Sequence, residues 1–489
     1  MKIENYIKYT IVLLLILSWL YPFHYYPWIV AENEFFILLL SIIMSFSLFK
    51  YKYIKVNEFI LFPIIILILS FFQYLIIESY YLENLVIISI YMLFIALLLL
   101  LGEVFLKGEN INLILKIIVL VCFLNSVVML LQYFNVNNMF VLEHSGMKRF
   151  YGNIGQPNHI STLFIMGVVS LLILYKRKKI SFLSLCILSI YLTFFIFLTG
   201  SRTGLLTFFI LLMIGLILQN NRKFDTSFFG SLILIYIFFS YSFSINSRHN
   251  LKVIESSVSD SRLILWKDSI SSVIENPWVG YGINGVRTSR LFSSLDFKVS
   301  YVSSHNIFID FFLWFGVIGG LLYTIYVLYM LIKIYKDRKN CYGILLFLTP
   351  FIVHSLLEYP FRYLYFLILT IPILSLVGGV KIMCIKRSVI IFFLFVYFLL
   401  ISFVFIDFNR FSRSAFFAQI QKCESIEGSP IVLDLMSNYA QLYCGSLTSS
   451  EMRKVIYHYP YPVHVKYYLD LGYYDENLAK FQKKIKSYK

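Results

Sequence analysis

Asn84 to Gly102 reads NLVIISIYMLFIALLLLLG, an apolar run without one charged residue. Roughly 20 such residues cross a bilayer as a helix. Apolar residues follow one another here rather than alternating with polar ones, which favours a helix over a barrel strand. Similar runs recur at about 9–20, 35–49, 58–77, 111–134, 158–175, 181–198, 204–219, 229–245, 306–332, 341–357, 361–380 and 388–406. The first is read as a retained helix, because no small-residue cleavage site follows it and further spans do.

Composition agrees. Of 489 residues, 59% are hydrophobic and 14% charged, and the mean hydropathy is +0.78. A water-soluble domain of this size has no core large enough for that apolar content. The sequence predicts an all-α polytopic membrane protein with about 12–13 transmembrane helices. Residues 1–406 form its membrane domain, with a large polar loop at about 246–305, and residues 407–489 form a small helical tail. Spacings of four, as at Ile431, Leu435 and Tyr439, predict the tail's short helices.

The formal net charge of +16 raises nucleic acid as a partner, but the cations fall in short clusters between spans. With thirteen spans starting inside, Lys50, Lys52 and Lys55, then residues 176–179, then Lys333, Lys336, Arg338 and Lys339, then Lys381, Lys386 and Arg387, all face the cytoplasm. No nucleic acid is expected, and the bilayer itself is the first partner. The loop and the tail then lie on the opposite side. Of six cysteines, only Cys423 and Cys444 lie in the polar tail, where pairing is open to them.

Costly polar residues gather on that outer side. Gln156-Pro157-Asn158 opens a span, where the amides suit either a helix cap or a bond to sugar or diphosphate. Arg202 follows a very short turn, and Arg362 ends another connection; each position fits an interfacial anchor or an anion ligand. Arg262 precedes Leu263, Trp266, Ile270 and Ile274, which form one helical face able to lie on the membrane. Several guanidinium forks aimed at one pocket suit a diphosphate, because Arg matches phosphate oxygens bidentately.

His305 and Asn306 head a span, where the helix N-terminus disfavours imidazolium and keeps the ring available as a base. Capping and packing are the alternative. His354 and Glu358 are four residues apart, a spacing that suits orienting His305, gripping sugar hydroxyls or bracing helix ends. Half a metal site has the same spacing, but no third ligand motif is nearby, so no metal or cofactor is expected.

Together these residues resemble the superfamily of O-antigen ligases and polymerases. Its general pattern is matched by Leu198-Thr199-Gly200-Ser201-Arg202, Ser261-Arg262-Leu263 with Trp266, Asn276-Pro277-Trp278-Val279-Gly280-Tyr281-Gly282, and His305-Asn306 followed by Phe315-Gly316-Val317-Ile318-Gly319. His24 with Pro27-Trp28, Gly155-Gln156-Pro157-Asn158, and His354-Ser355-Leu356-Leu357-Glu358-Tyr359-Pro360 with Tyr365-Phe366 are similar to its pilin-glycosylating branch, the protein O-oligosaccharyltransferases.

The resemblance implies transfer of a preassembled glycan from undecaprenyl diphosphate to a Ser or Thr hydroxyl of an exported, pilin-like protein. It places the reaction at the periplasmic face of a Gram-negative inner membrane. By motif, Arg202 and Arg262 hold the diphosphate, His305 handles the acceptor's proton, and Gln156 and Tyr359 shape the pocket, near Asn158, Asn306, His354, Glu358 and Arg362. Three further readings remain at this point, one of them a purely structural envelope protein, which would give no reason for arginines and a histidine to converge on one side. The acceptor is a lipid A core or a growing polysaccharide in a ligase or polymerase, and a flippase for lipid-linked glycans performs no chemistry. A flippase would place its polar residues through the midplane.

Overall fold

The structure, a computed structural model, describes residues 2–24, 28–77, 80–106, 108–136, 138–143, 149–218, 223–246, 258–283, 285–291, 301–377, 381–426 and 428–486. Parts of the polar insert, and Pro27 of the aromatic motif, therefore lie outside the described residues.

Helices α1 (Lys2–Leu20), α2 (Ala31–Ser45), α3 (Leu61–Ile76), α4 (Leu82–Phe105) and α5 (Glu109–Tyr133) come first. Next are α6 (Pro157–Lys176), α7 (Phe182–Leu198), α8 (Arg202–Ile217) and α9 (Lys223–Asn246). The insert carries α10 (Val258–Glu275) and α11 (Gly285–Ser289). After it come α12 (Ile307–Lys336), α13 (Arg338–Ser355), α14 (Leu364–Leu374) and α15 (Arg387–Gln419). Four short helices close the chain: α16 (Asp434–Ala440), α17 (Ser449–His458), α18 (Pro462–Asp470) and α19 (Glu476–Lys486).

Among the described residues, eight helical segments are long and apolar enough to cross a membrane, and five shorter apolar helices fall on the remaining expected runs. The chain is an all-helical polytopic membrane protein, as its composition requires. At its centre is α6, with 83% of its apolar 18-residue stretch buried, whereas the corresponding stretch of α15 is only 17% buried and lies at the periphery.

Some boundaries differ from the expectation. The run at 361–380 becomes the 11-residue α14, preceded by a 3-10 turn at Pro360–Arg362. Proline fixes φ and lacks an N–H, so the chain turns there before a new helix starts. The last long helix does not stop at 406 but continues to Gln419. An antiparallel ribbon also joins β1 (Tyr53–Asn57) to β2 (Lys381–Lys386), with Tyr53 opposite Lys386 and Lys55 opposite Cys384. It brings together two lysine clusters that charge counting had placed on one side.

The insert anchors itself in a break of α12. Gly316 has φ 66° and ψ −168°, which interrupts the helix. The freed groups find partners in the Asn276–Gly282 segment: Tyr281 N–H donates to Leu313 O at 2.8 Å, Gly282 N–H to Trp314 O at 3.0 Å, and Val317 N–H to Pro277 O at 2.6 Å. Gln73 Nε2 donates to Val279 O at 2.7 Å from α3. Broken backbone at membrane depth persists only where protein satisfies it. A Cβ on Gly316 would stand 2.5 Å from Pro277 O and Trp278 O, and one on Gly280 2.5 Å from Gly316 N. Gly280 and Gly316 leave the room in which the two backbones touch.

The tail docks on the same end of the bundle. Asp407 Oδ2 accepts from the N–H groups of Ile431, Val432 and Leu433 at 2.8, 2.7 and 3.0 Å. Asp434 accepts from Glu83 N–H at 3.0 Å, and Glu83 Oε2 from Met436 N–H at 2.8 Å, which ties α16 to the start of α4. Leu435 and Tyr439 are buried in the tail's own core, while Ile431 precedes the helix and is exposed. Cys423 and Cys444 are bonded to each other.

Candidate active site

The site forms where α6, α8, α10 and α12 begin and α13 ends. Gln156 caps α6, its Oε1 accepting from His159 N–H at 2.7 Å, and Pro157 takes the first-turn position that needs no donor. This orients Asn158. Its Oδ1 accepts from Ser201 Oγ at 2.9 Å and from Arg149 Nη2 at 3.0 Å, and its Nδ2 donates to Glu358 Oε1 at 3.2 Å. Ser201 caps α8 in turn, leaving Arg202 exposed at that helix's first position.

Glu358 is the hub. The chain makes one more turn beyond α13, with Glu358 N–H bonded to His354 O at 2.8 Å. Its Oε1 lies 2.7 Å from Arg262 Nη2, and its Oε2 lies 3.4 Å from His305 Nε2. Burial pushes the Glu358 carboxyl above the usual carboxylate range, against the pull of Arg262, Asn158 and Arg149.

His305 sits in a turn with φ 61°, a region that side chains rarely adopt. The Tyr359 ring crosses its own at 5.1 Å, and Trp266 Nε1 donates to the neighbouring Ser304 O at 3.0 Å. Burial, reinforced by the Arg262 guanidinium, pushes His305 down to about 4. Its imidazole is therefore neutral near pH 7 and able to take a proton.

Arg149, which no sequence motif marks out, also belongs to this cluster. Its Nε donates to Thr199 O at 2.8 Å. Burial lowers its pKa, with Glu358 opposing and Arg202 and Arg262 adding to the effect, so three guanidinium groups share one field. Arginines crowded in this way stabilise an anion placed among them.

Other candidates have different surroundings. His354 is fully buried behind the site, its Nδ1 2.8 Å from Thr162 Oγ1, and does not share Glu358's partners. Asn306 caps α12, accepting from Phe308 N–H at 3.0 Å, and donates to Leu356 O at 3.2 Å. Arg362 Nη1 donates to Val302 O at 2.5 Å and is turned to the far side of the His305 segment. On α10, Leu263, Ile270 and Ile274 are exposed as one apolar face, but Trp266 turns inward to Ser304. Asp260 and Ser261 have no described side chains. Among the described residues, no three His, Cys, Asp or Glu side chains gather to hold a metal ion.

On that far side lies an apolar cavity of about 470 Å³ between α3, α4, α12, α13 and α14. It follows α4 from Glu83 to Leu99, and Arg287, Arg362 and Tyr459 line it at the end nearest the site.

A membrane bundle that presents clustered arginines, a buried carboxylate and a neutral histidine at one end defines a class, an integral membrane protein with an anion-binding candidate active site. Residues 185–324 match the family described as O-antigen ligase, a stretch that contains Arg202, Arg262 and His305. The chain is 32% identical over 268 residues to the ComP-specific O-oligosaccharyltransferase of Acinetobacter baylyi, which covers 52% of this chain and 48% of that protein. It is 26% identical over 286 residues to the general O-oligosaccharyltransferase of the same organism, covering 53% and 49%. The chain thus spans about half the length of the curated relatives it matches. The resemblance read from the motifs is borne out by both comparisons.

Proposed function

We propose that this protein is an O-linked oligosaccharyltransferase that moves a preassembled glycan from undecaprenyl diphosphate to a Ser or Thr hydroxyl of an exported, pilin-like protein. The observation that carries the reading is the chain of contacts from Arg262 through Glu358 to His305, which sets an anion site beside a neutral base. The apolar cavity across the His305 segment, lined at its near end by Arg287 and Arg362, supports a donor with a long lipid tail, and the two relatives named as O-oligosaccharyltransferases support a protein acceptor. The reaction is assigned to the periplasmic face of the inner membrane, with 1–406 as the transferase domain and 407–489 as the tail.

In the step we assign, the acceptor oxygen attacks the anomeric carbon as its proton passes to the unprotonated ring nitrogen of His305. The bond from that carbon to the diphosphate oxygen breaks, and undecaprenyl diphosphate leaves with its charge held by Arg149, Arg202 and Arg262. Donors fixed where charge develops typically supply the largest single part of such catalysis, which requires no metal in this scheme. Direct displacement inverts the anomeric centre.

Purified protein mixed with a polyprenyl-diphosphate glycan and a Ser-containing acceptor peptide tests the reading. A peptide gaining the glycan mass, with inverted anomeric configuration by NMR, is expected. Release of free glycan without peptide product, or retention of configuration, would overturn it.

A further inference from the structure

The turn that presents His305 is held by a second carboxylate besides Glu358. Asp310 lies in the first turn of α12 and is completely buried. Its Oδ2 accepts from Ser303 Oγ at 2.5 Å and its Oδ1 from Ser304 N–H at 2.7 Å. Ser303 Oγ itself accepts from His305 N–H at 3.0 Å. Two hydrogen bonds therefore connect the Asp310 carboxylate to the His305 backbone.

That connection answers a cost. A non-glycine residue held in the left-handed region is strained and persists only where its surroundings impose it. Nor is Asp310 the cap of its own helix. Asn306 does that, while both Asp310 oxygens turn back to residues 303 and 304. A buried carboxylate is expensive unless it is fully bonded, and packing alone would be served by an apolar side chain.

We propose that Asp310 is a positioning residue for the transfer reaction, acting through Ser303 to lock the left-handed backbone of His305 so that its imidazole faces Glu358. The inference rests on the reading of His305 as proton acceptor. Asparagine at 310 keeps one acceptor for Ser304 N–H but offers a donor to Ser303 Oγ, whose own hydrogen then loses its partner. Half the lock remains.

The test uses purified full-length wild type, Asp310→Asn, Asp310→Ala, His305→Ala and the His305→Ala/Asp310→Ala double variant, each checked for cooperative thermal unfolding. Two readouts are taken: kcat and KM for glycan transfer, and the rate at which diethyl pyrocarbonate modifies His305, followed by peptide mass. Asp310→Ala should lower kcat by up to about 10²-fold, the scale of a 1 Å misplacement, leave the acceptor KM nearly unchanged, and raise the His305 modification rate. Asp310→Asn should fall between. In the His305→Ala background the Asp310 change should cost nothing further, because the group it positions is gone.

A folded Asp310→Ala variant with wild-type kcat and wild-type His305 reactivity overturns the proposal. So does an equal rate loss with and without His305. Should Asp310→Ala fail to fold, Asp310→Asn decides by the same two readouts. Should wild type transfer nothing, or His305→Ala transfer normally, the functional reading fails, and His305 modification alone decides whether Asp310 holds the turn.

Discussion

Arg262 Nη2 lies 2.7 Å from Glu358 Oε1, and this pair joins the polar insert to the end of α13. Because Arg262 also bears on His305 electrostatically, its loss would, on the proposed reading, remove an anion ligand and alter the base at once. Arg262→Ala should lower the initial transfer rate by about 10²–10³-fold, as removal of one transition-state donor does. Arg262→Lys should recover only part, since an ammonium lacks the planar fork. Equal rates for Arg262→Lys and wild type would count against the anion site.

The pH dependence has a definite sign. Glu358, Arg262, Tyr301 and Tyr359 face His305, and burial with Arg262 pushes it to about 4 from an ordinary 6.5. The proton-accepting form is then already complete above about pH 5. The acid limb of kcat/KM should fall well below 6.5. A limb centred near 6.5 that vanishes in His305→Gln would contradict the burial of this ring.

Stability should follow pH in the tail. Burial pushes His458 and His464 to about 4, below their unfolded value of 6.5. Their neutral forms therefore contribute stability that is present above about pH 6.5 and lost as pH falls toward 4. Within that window the slope approaches about 1.4 kcal/mol per pH unit for each histidine. Thermal unfolding followed by limited proteolysis of the tail should show a lower midpoint at pH 5 than at pH 7. An unchanged midpoint would contradict this.

Gly316→Ala should be costly away from any chemistry. The new Cβ would meet two carbonyl oxygens at 2.5 Å, and the position requires φ 66°. Strain of this kind is worth about 1–3 kcal/mol before the insert is displaced. The variant should show a lower unfolding midpoint and less protein in membranes. Wild-type values for both would mean that the insert does not depend on the α12 break.

How much was legible follows from how local each signal is. Long apolar runs identified the bundle because roughly 20 apolar residues have few alternatives. The glycines of the Asn276–Gly282 and Phe315–Gly319 motifs were visible as a pattern, but the contact of Gly280 with Gly316 across a broken helix is tertiary. The ribbon at residues 53–57 and 381–386 was hidden by the longer runs beside it. Arg149 was not singled out, because the bond from its guanidinium to Asn158 spans a loop that sequence alone does not close. Asp310 carried a signal that went unused, an acidic residue inside an apolar run. His354 and Glu358 shared a helical spacing, yet α13 ends between them and they part company.

Glycosylation of exported proteins should depend on His305. The most direct measurement is the intact mass of exported proteins from cells carrying the wild-type chain, His305→Ala or no copy of the gene, at equal membrane expression where the chain is present. A glycan mass on a Ser or Thr peptide in wild type alone, with lipopolysaccharide the same in all three, is the predicted result. Unchanged protein masses together with lipopolysaccharide that loses its polymer would contradict it and move the acceptor to a lipid or a glycan.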